Sequence, residues 1–392
     1  MKSIISEQVS VNIPLSEPLI DGNEWKYIKE CLNTGWVSSA GEYVTRFEKT
    51  VADYIGSKYA VATVNGTSAL HVSLIACGIR ANDEVIVPTL TFIAPVNTVR
   101  YCGGHPVFMD CDPDSLCIDV LKVSDFINKE CKKRRDGFLY NKKTGRRVKA
   151  IIPVHIFGHP ADMDELLEIC KKNNIDIIED ATESLGSEYK GKKTGSFGVA
   201  GCFSFNGNKI ITTGGGGMVV TDNINIAKRV RHLSTQAKKD HFEYDHDEIG
   251  YNYRLTNTQA AMGVAQMERI QEFVNIKRRN ASIYSNLLSE VKDVKFLWEN
   301  AQVKSNFWFY TVKAAKRHKK KLINYLLSRN IQVRPVWKLI HTLPMYKNSQ
   351  AYRIENAVKA YDTCINIPCS LSLSKKEIGY VSENIKNYFL RL

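Results

Sequence analysis

The chain has 392 residues, of which 44% are hydrophobic and 24% are charged. This length and composition allow a large buried core and predict two or more domains, which excludes a disordered or fibrous chain. No apolar run near the start is long enough for a signal peptide or a membrane span, so we expect a cytoplasmic protein without membrane attachment.

The ten cysteines are scattered, with no CxxC pair and no His/Cys spacing typical of zinc sites. We therefore expect reduced core thiols and no metal. The net charge is +13, and part of the excess lies in residues 129–149 (KECKKRRDGFLYNKKTGRRVK). That segment has few interleaved aromatic residues, so a solvated hairpin insertion is favoured over a nucleic-acid patch. The remaining excess suits anionic small molecules such as phosphates.

The first elements of the chain are predicted to be helical. Residues 10–30 contain apolar residues at helical spacing, which predicts an opening helix. These residues are Leu19, Ile20, Trp25, Ile28 and Leu32. The next segment, GWVSSAG, is a loop of small hydrogen-bonding residues that could wrap a ligand, or simply connect two helices.

From residue 59 onwards, strand-like and helix-like segments alternate. The predicted strands are 59–64, 84–88, 106–110, 149–157, 175–180, 201–205 and 217–221. Several are continuous β-branched runs, which favours a largely parallel sheet covered by helices on both faces. The fold class that we predict is therefore α/β.

The pattern changes after Gly250. Thr256 and Gln259 have the spacing of a capping box, and a long helical pattern follows as far as Phe273. Alternating segments and helices beyond residue 285 indicate a smaller α+β unit. We predict a large domain over residues 1–270 and a small C-terminal domain over residues 271–392.

Three predicted strand ends carry residues suited to chemistry, and ligands of open α/β sheets collect at such ends. The first strand runs into Asn65-Gly66-Thr67-Ser68, a turn that opens a helix. The free N–H groups and hydroxyls of this turn could hold a phosphate, although helix capping alone also explains them.

The strand IDIIED ends on Glu179 and Asp180. A carboxylate that leaves an apolar strand needs a cationic partner, and a pyridinium nitrogen is one such partner. Capping of the helix-like segment that follows is the alternative interpretation.

The third strand end delivers Lys209, in FSFNGNKIITTGGGG. An amine held by close backbone packing can form a Schiff base, whereas an isolated NxK would usually be a surface hairpin lysine. A phosphate turn, then Asp180, then Lys209 is the order found in pyridoxal phosphate (PLP) enzymes of the aspartate aminotransferase fold.

These motifs together resemble the DegT/DnrJ/EryC1/StrS sugar aminotransferases over nearly the whole chain. The resemblance rests on GWVSSAG, VNGTSALHVSL, PTLTFIAPVNTV, PVHIFGHPADM, IEDATESLGSEYKGKKTGSFG, FSFNGNKIITTGGGGMV and GYNYRLTNTQAAMGVAQME. It implies the aspartate aminotransferase-like fold, called PLP fold type I, and PLP as cofactor.

The resemblance also implies roles for individual residues. Lys209 would form the Schiff base and move the proton, and Asp180 would pair with the pyridine nitrogen. The phosphate would be held by Gly66, Thr67 and Ser204, with Asn252 arriving from the partner of a homodimer. Phe92 would stack on the cofactor, and Glu183 would lie near its phenolic oxygen. Family position further suggests substrate-side roles for Trp36, Ser38, His155, Arg334, Trp337 and His341.

Two of these positions have a competing structural interpretation. His155 has no second metal ligand at local spacing, so a hydrogen-bonded active-site or core histidine is expected there. Trp337 could instead pack between domains.

The substrate prediction rests on one departure from the family pattern. Asn206 and Asn208 stand where the family more often has His and then Ser or Ala. In this departure the chain resembles the enzymes that act on UDP-4-keto-6-deoxy-N-acetylglucosamine in legionaminic acid and N-acetylbacillosamine synthesis. The resemblance implies L-glutamate as amino donor. A lysine at 209 argues for transamination, because relatives that dehydrate the sugar have histidine there.

Alternatives stay open at this point. One is a GDP-linked 4-keto-6-deoxy sugar, the precursor of perosamine. Another is a different PLP reaction, such as dehydration or desulfuration. The last is a regulatory binding protein of the same fold, against which the intact Asp180 and Lys209 argue.

Overall fold

The protein is described by a computed structural model that covers residues 12–240 and 242–391. Its helices in these ranges are α1 (Glu24–Thr34), α2 (Glu42–Ile55), α3 (Gly66–Ala76), α4 (Ala94–Tyr101), α5 (Val120–Glu130), α6 (Met163–Asn173), α7 (Ile224–Ser234), α8 (Asn257–Met267), α9 (Ile270–Leu288), α10 (Lys316–Leu327), α11 (Asn356–Thr363) and α12 (Lys375–Leu390). Among these described helices, none is both long enough and apolar enough to cross a bilayer.

The strands are β1 (Tyr59–Thr63), β2 (Glu84–Pro88), β3 (His105–Met109), β4 (Cys131–Lys133), β5 (Leu139–Asn141), β6 (Val148–Ile151), β7 (Asp176–Asp180), β8 (Glu188–Tyr189), β9 (Lys192–Lys193), β10 (Ala200–Ser204), β11 (Gly217–Thr221), β12 (Lys238–Asp240), β13 (Asp245–His246), β14 (Val294–Phe296), β15 (Val303–Lys304), β16 (Tyr310–Ala314), β17 (Arg334–Pro335), β18 (Ala351–Tyr352) and β19 (Cys364–Ile367).

The main sheet has the order β1-β11-β10-β7-β6-β2-β3-β18. Its seven longer strands correspond to the seven predicted ones, although β6 ends at Ile151, earlier than expected. Neighbours from β10 to β18 run parallel, and β11 alone runs antiparallel to both of its neighbours. The α/β fold is therefore confirmed. The strands are buried on both faces because helices cover them, which explains their continuous apolar sequences.

The predicted capping box is present, but the helix after it is shorter than expected. The Thr256 hydroxyl accepts from the Gln259 N–H, and the Gln259 side chain accepts from the Thr256 N–H. The helical pattern then divides at residues 268–269, where α8 ends and α9 begins. Helix α9 leads from the large sheet into the smaller unit.

The smaller unit contains the antiparallel sheet β14-β16-β19-β17 with α10 and α12 packed around it. The division at residue 270 stays a prediction, and residues 1–11 lie outside the described residues. The two parts are interwoven, since β18 pairs with β3 and Ile13 bridges Ile331. The N-terminal end of the described chain and the strand β18 therefore both contribute to the junction.

The opening helix differs from the prediction. It begins at Glu24, so Leu19 and Ile20 precede it. Trp25 is 76% exposed and Leu32 is 58% exposed, whereas Tyr27 and Cys31 are buried. Trp25 and Leu32 therefore form part of an uncovered surface on the single chain.

The basic segment 129–149 forms a hairpin of β4 and β5, as expected. It is anchored by the buried Asn141, whose amide donates to Glu84 at 2.8 Å. The Lys133 and Lys142 ammonium groups donate to backbone carbonyls, at 2.5 Å and 2.6 Å. The hairpin is thus an insertion at the sheet with solvated lysines, while its buried Cys131 and Leu139 pack into the core.

Candidate functional site

The sheet brings the three predicted strand ends to one edge. Strands β7 and β10 run parallel, and β1 has the same direction because β11 lies antiparallel between β1 and β10. A cavity of about 760 Å³ opens at this edge. Its lining includes Gly66, Thr67, Phe92, Glu183, Ser204, Lys209, Arg334 and Trp337, all of which the sequence predicted.

The phosphate turn is built on the first turn of α3. Asn65 caps the helix by accepting from the Ser68 N–H at 2.8 Å, and Thr67 lines the cavity. The first N–H groups of a helix have no acceptor within it, so this end attracts anions. A Cβ at Gly66 would lie 2.8 Å from the Ser204 Cβ, too close for a real contact. Glycine is therefore required where these backbones meet.

Asp180 ends β7 and is almost completely buried. One of its carboxylate oxygens accepts from the Thr182 N–H at 3.1 Å. Burial raises the pKa of Asp180, and the hydrogen bonds from Thr182 and the charge of Lys209 oppose that rise. A cationic ring nitrogen beside this carboxylate would offset the cost of burying it.

His155 lies behind this strand end and does not line the cavity. Its Nδ1 accepts from the Ala161 N–H at 3.1 Å, which leaves Nε2 as the donor to Glu179 at 3.0 Å. Glu179 also accepts three backbone N–H groups of the 195–198 turn. His155 is thus the hydrogen-bonded core histidine that the sequence suggested, and this geometry gives no support to a substrate contact.

Lys209 is placed with its ammonium group 3.8 Å from the centre of the Trp308 ring and 3.9 Å from a Glu183 carboxylate oxygen. Its side chain is only 13% exposed. Burial lowers the pKa of Lys209, while Glu183 and Asp180 act to raise it. An amine in this balance can lose its proton and act as a nucleophile or base.

Glu183 is the carboxylate that borders the cavity beside Lys209. Its second oxygen accepts from the Phe157 N–H at 2.8 Å. Burial raises the pKa of Glu183, and Lys209 and the Phe157 N–H oppose the rise. Phe157 has a left-handed backbone with φ of 56°, a strained conformation for a bulky residue, and this conformation aims its N–H at Glu183.

Aromatic rings and one guanidinium border the open part of the cavity. The Phe92 ring is 52% exposed, as expected for a residue that stacks on a ligand. Trp337 contacts both Phe92 and Phe157, with ring centres 6.1 Å and 4.9 Å apart, so it packs between segments and also lines the cavity. Arg334 is exposed at the cavity mouth.

Besides Asp180 and His155, which lie behind the cavity lining, four predicted residues do not line the cavity of their own chain. Asn252 is exposed and bridges Thr235. Trp36 and Ser38 are exposed, and their carbonyls accept from Asn257. His341 forms a 2.6 Å hydrogen bond with Thr89. The single chain therefore does not bring these four residues to Lys209.

Sequence reasoning missed several residues that border Lys209. Trp308 provides the ring beneath the amine, and its indole N–H donates to the Asn208 carbonyl at 2.6 Å. Asn366 and Tyr361, from the small unit, also line the cavity. The run FWFY at 307–310 signalled a buried strand, but nothing in its pattern places one of its rings at a site a hundred residues earlier.

One group of possible metal ligands lies outside this site. His232, Asp247 and Glu248 have ligand atoms within 4.8 Å of one another. Glu248 is engaged by both terminal nitrogens of Arg229, one of them at 2.6 Å. A guanidinium in that position competes with a cation, so the group serves as an ion-pair network on the surface.

The parallel sheet, the phosphate turn, the buried carboxylate and the enclosed lysine define a PLP-dependent enzyme of fold type I. Comparison with known proteins then gives the family: the chain matches the DegT/DnrJ/EryC1/StrS aminotransferase family over residues 18–386, and it belongs to that family. The expected class, a PLP-dependent sugar aminotransferase, is confirmed.

Relatives and a solved structure agree with this assignment. The chain is 39% identical to a GDP-perosamine synthase of Escherichia coli O157:H7, covering 96% of this chain and 98% of the relative. It is 38% identical to a GDP-perosamine synthase of Caulobacter vibrioides (94% and 96%). It is 35% identical to the putative pyridoxal phosphate-dependent aminotransferase EpsN of Bacillus subtilis (96% and 96%). The Helicobacter pylori aminotransferase PseC, of pseudaminic acid biosynthesis, superimposes with a TM-score of 0.88 at 26% identity, covering 97% and 100% of the chains.

The described residues fit PLP. Gly66 and Thr67 line the cavity at the N-terminus of α3, where a phosphate would accept from helix N–H groups, and Asp180 is a buried carboxylate whose charged form a cation would stabilise. Lys209 provides an amine that burial brings toward its neutral form. When bound, PLP supplies an electron sink that stabilises negative charge on the carbon attached to the transferred nitrogen.

Proposed function

We propose that the protein transfers the amino group of L-glutamate to C4 of a GDP-linked 4-keto-6-deoxy sugar, giving a 4-amino-4,6-dideoxy sugar nucleotide. The observation that carries this proposal is the name shared by two relatives of nearly full-length match, both called GDP-perosamine synthase. This favours the GDP alternative over the UDP-linked substrate that the asparagines before Lys209 suggested.

The structure explains why those asparagines are a weak guide to substrate. At Asn208 it is the backbone carbonyl that accepts from Trp308 and from the Ser16 hydroxyl. Any residue at 208 could make the same two contacts. Asn206 and Asn208 do line the cavity. No contact that they make among the described residues depends on whether the substrate carries GDP or UDP.

The roles of the cavity residues follow from their positions. Lys209 would accept the proton from the α-carbon of glutamate and pass it to the cofactor within the same half-reaction. In the second half-reaction it would take a proton from the cofactor and deliver it to C4 of the sugar. Glu183, 3.9 Å away, stabilises the ammonium form of Lys209 when it holds that proton. Asp180 keeps the ring nitrogen cationic. Gly66, Thr67 and Ser204 bind and orient the phosphate at the end of α3.

The experiment compares the two sugar nucleotides directly. The purified enzyme with PLP and L-glutamate is given either GDP-4-keto-6-deoxymannose or UDP-4-keto-6-deoxy-N-acetylglucosamine, and 2-oxoglutarate is measured. We expect kcat/KM for the GDP substrate to be higher by roughly 100-fold or more. A preference for the UDP substrate would restore the first substrate prediction and overturn this one.

We further propose a homodimer with shared active sites. Asn252, Trp36 and Ser38 lie away from the cavity of their own chain, and exposed apolar side chains surround these segments. Among them are Trp25, Leu32, Trp36, Val37, Phe242 and Ile249. A second copy would cover this surface and could present Asn252 to the neighbouring cavity.

Co-expression of two inactive variants tests the shared site. In a mixed dimer of Lys209→Ala and Asn252→Ala subunits, one of the two sites has both native residues. We expect the co-expressed pair to regain about a quarter of the native activity. Each variant alone should stay inactive or nearly so. No recovery in dimers shown to be mixed would place Asn252 outside the partner's site.

A further inference from the structure

A second lysine is more completely buried than Lys209 and has no role in the function proposed above. Lys277, on α9, is 2% exposed. Its ammonium group donates to the Trp308 carbonyl at 2.9 Å and also to the Cys369 carbonyl. Within the described residues no carboxylate lies at ion-pair distance from it. A buried charge held by two carbonyls and facing the Tyr310 ring, with its centre 5.4 Å away, is costly without a carboxylate, so its position calls for a reason.

The two carbonyls belong to segments that form walls of the cavity. Trp308 is the residue whose ring lies 3.8 Å from the Lys209 ammonium, so the same residue contacts both lysines. Cys369 donates its N–H to the Leu15 carbonyl at 2.7 Å, and Leu15 lines the cavity. Lys277 therefore joins α9 to two chain segments that are distant in sequence.

A second hydrogen bond fixes helix α9 at Lys277. The Tyr310 hydroxyl donates to the Lys277 carbonyl at 2.9 Å, so the backbone and the side chain of Lys277 are both bonded to residues 308–310, at the start of β16. At the other side of Trp308, its indole N–H is bonded to the Asn208 carbonyl. Hydrogen bonds therefore hold both the backbone carbonyl of Trp308, which accepts from Lys277, and its indole ring, which donates to the Asn208 carbonyl.

We propose that Lys277 is a positioning residue, which holds the Trp308 ring against Lys209 and thereby supports the cationic form of the reactive nitrogen. An aromatic face attracts a cation at this distance. Loss of the bond to the Trp308 carbonyl would let the ring move and weaken that attraction. The titratable groups that face Lys209 are Glu183 and Asp180, and neither contacts Lys277. Those that face Lys277 are Cys369 and Tyr310.

The test is a pH titration of the visible absorbance band of the PLP-loaded enzyme, which reports the proton on the Schiff-base nitrogen. For Lys277→Met we expect the midpoint to fall by roughly 0.5 to 1 pH unit, because the cationic form loses part of its aromatic contact. Trp308→Phe should lower the midpoint in the same direction. The substrate is absent from this measurement, so its outcome is independent of the GDP or UDP assignment.

The double variant distinguishes positioning from a general effect of a lost buried lysine. If Lys277 acts through Trp308, adding Lys277→Met to Trp308→Phe should shift the midpoint by less than the sum of the single shifts. Lys122→Met is the matched control, since Lys122 also joins two segments, at Asp110 and the Arg353 carbonyl, but far from Trp308. It should lower the melting temperature and leave the midpoint unchanged.

Two results would overturn the proposal: an unchanged midpoint in folded Lys277→Met, or shifts that add fully in the double variant. If Lys277→Met does not fold, Lys277→Gln decides the question, because its amide keeps a donor for one carbonyl without the charge. A folded Lys277→Gln with the native midpoint would equally reject the role of Lys277.

Discussion

Lys209 and Lys277 are both buried, and both are in contact with Trp308, yet their surroundings differ. Lys209 has the carboxylates of Glu183 and Asp180 nearby, whereas Lys277 donates to two carbonyls. Burial lowers the pKa of each lysine. Carboxylates that share protons with an amine allow its charge to change during a reaction, while neutral carbonyls accept hydrogen bonds and fix a position.

This comparison indicates that burial alone does not identify a reactive lysine. The second requirement is an opening to a ligand: Lys209 borders a cavity of about 760 Å³, and Lys277 does not line it. Lys209 therefore has the surroundings of a reactive group, and Lys277 has those of a residue that fixes the position of its neighbours.

The largest effect is expected for Lys209→Ala. Loss of the amine removes both the nucleophile and the proton carrier, so kcat should fall by roughly 10⁴-fold or more. The melting temperature should stay the same or rise, because a poorly solvated amine has been removed. Steady-state assay and thermal unfolding measure the two quantities. Folded Lys277→Met, in contrast, should keep measurable turnover, and equal losses in both variants would contradict the division of roles.

Asp180→Asn should have the next largest effect. The amide cannot stabilise a cationic ring nitrogen, so kcat should decrease by roughly 100- to 1,000-fold while PLP still binds at the phosphate turn. The variant should fold well, because burial already raises the pKa of the native carboxylate and an uncharged side chain costs less there. Absorbance confirms PLP loading before the assay. Near-native turnover would remove Asp180 from the proposed chemistry.

The residues that sequence reasoning located share a local signal. Gly66, Asp180 and Lys209 each follow a strongly apolar strand, and parallel strands bring their ends to the same edge. Their placement could therefore be predicted from strand order alone. Family resemblance extended this to Phe92, Glu183 and Ser204, which also line the cavity.

The contacts that sequence reasoning missed depend on packing between distant segments. Trp308 belongs to a segment, residues 308–310, that is bonded to α9 through Lys277, and no local periodicity records that bond. The helical spacing in α1 likewise did not show which of its apolar residues are buried, and Trp25 and Leu32 are exposed on the single chain. Apolar spacing shows that a surface is covered, but not whether the cover is the same chain or a second copy.

Glu183→Gln tests the part of the comparison that concerns charge. The carboxylate acts to raise the pKa of Lys209, so its removal should lower the pKa of the lysine nitrogen. We expect the midpoint of the Schiff-base titration to fall by roughly one pH unit, and kcat to decrease several-fold. Glu188→Gln is a matched control, because Glu188 pairs with Lys193 away from the cavity. An unchanged midpoint in Glu183→Gln would show that Glu183 carries no charge in the native enzyme.

His159→Phe should leave turnover unchanged and alter only stability in acid. His159 is buried, its Nε2 has no hydrogen-bond partner among the described residues, and burial together with the positive charge of Arg278 lowers its pKa to about 4. The unfolded chain therefore binds a proton below pH 6.5 that the folded chain accepts only near pH 4. Between these values His159 destabilises the native state as the pH falls, by up to roughly 3 kcal/mol.

Phenylalanine cannot bind that proton and can keep the edge-to-face contact with Phe307, whose ring centre is 5.3 Å away. Denaturant unfolding at pH 7.5 and pH 4.5 should show a smaller loss of unfolding free energy for the variant than for the native protein. Equal losses of unfolding free energy in the two proteins would mean that His159 is already protonated in the folded state, or that a different group causes the loss of stability in acid. A buried cationic side chain with no acidic neighbour is then a cost to the fold in acid, which is the condition that Glu183 and Asp180 prevent at Lys209.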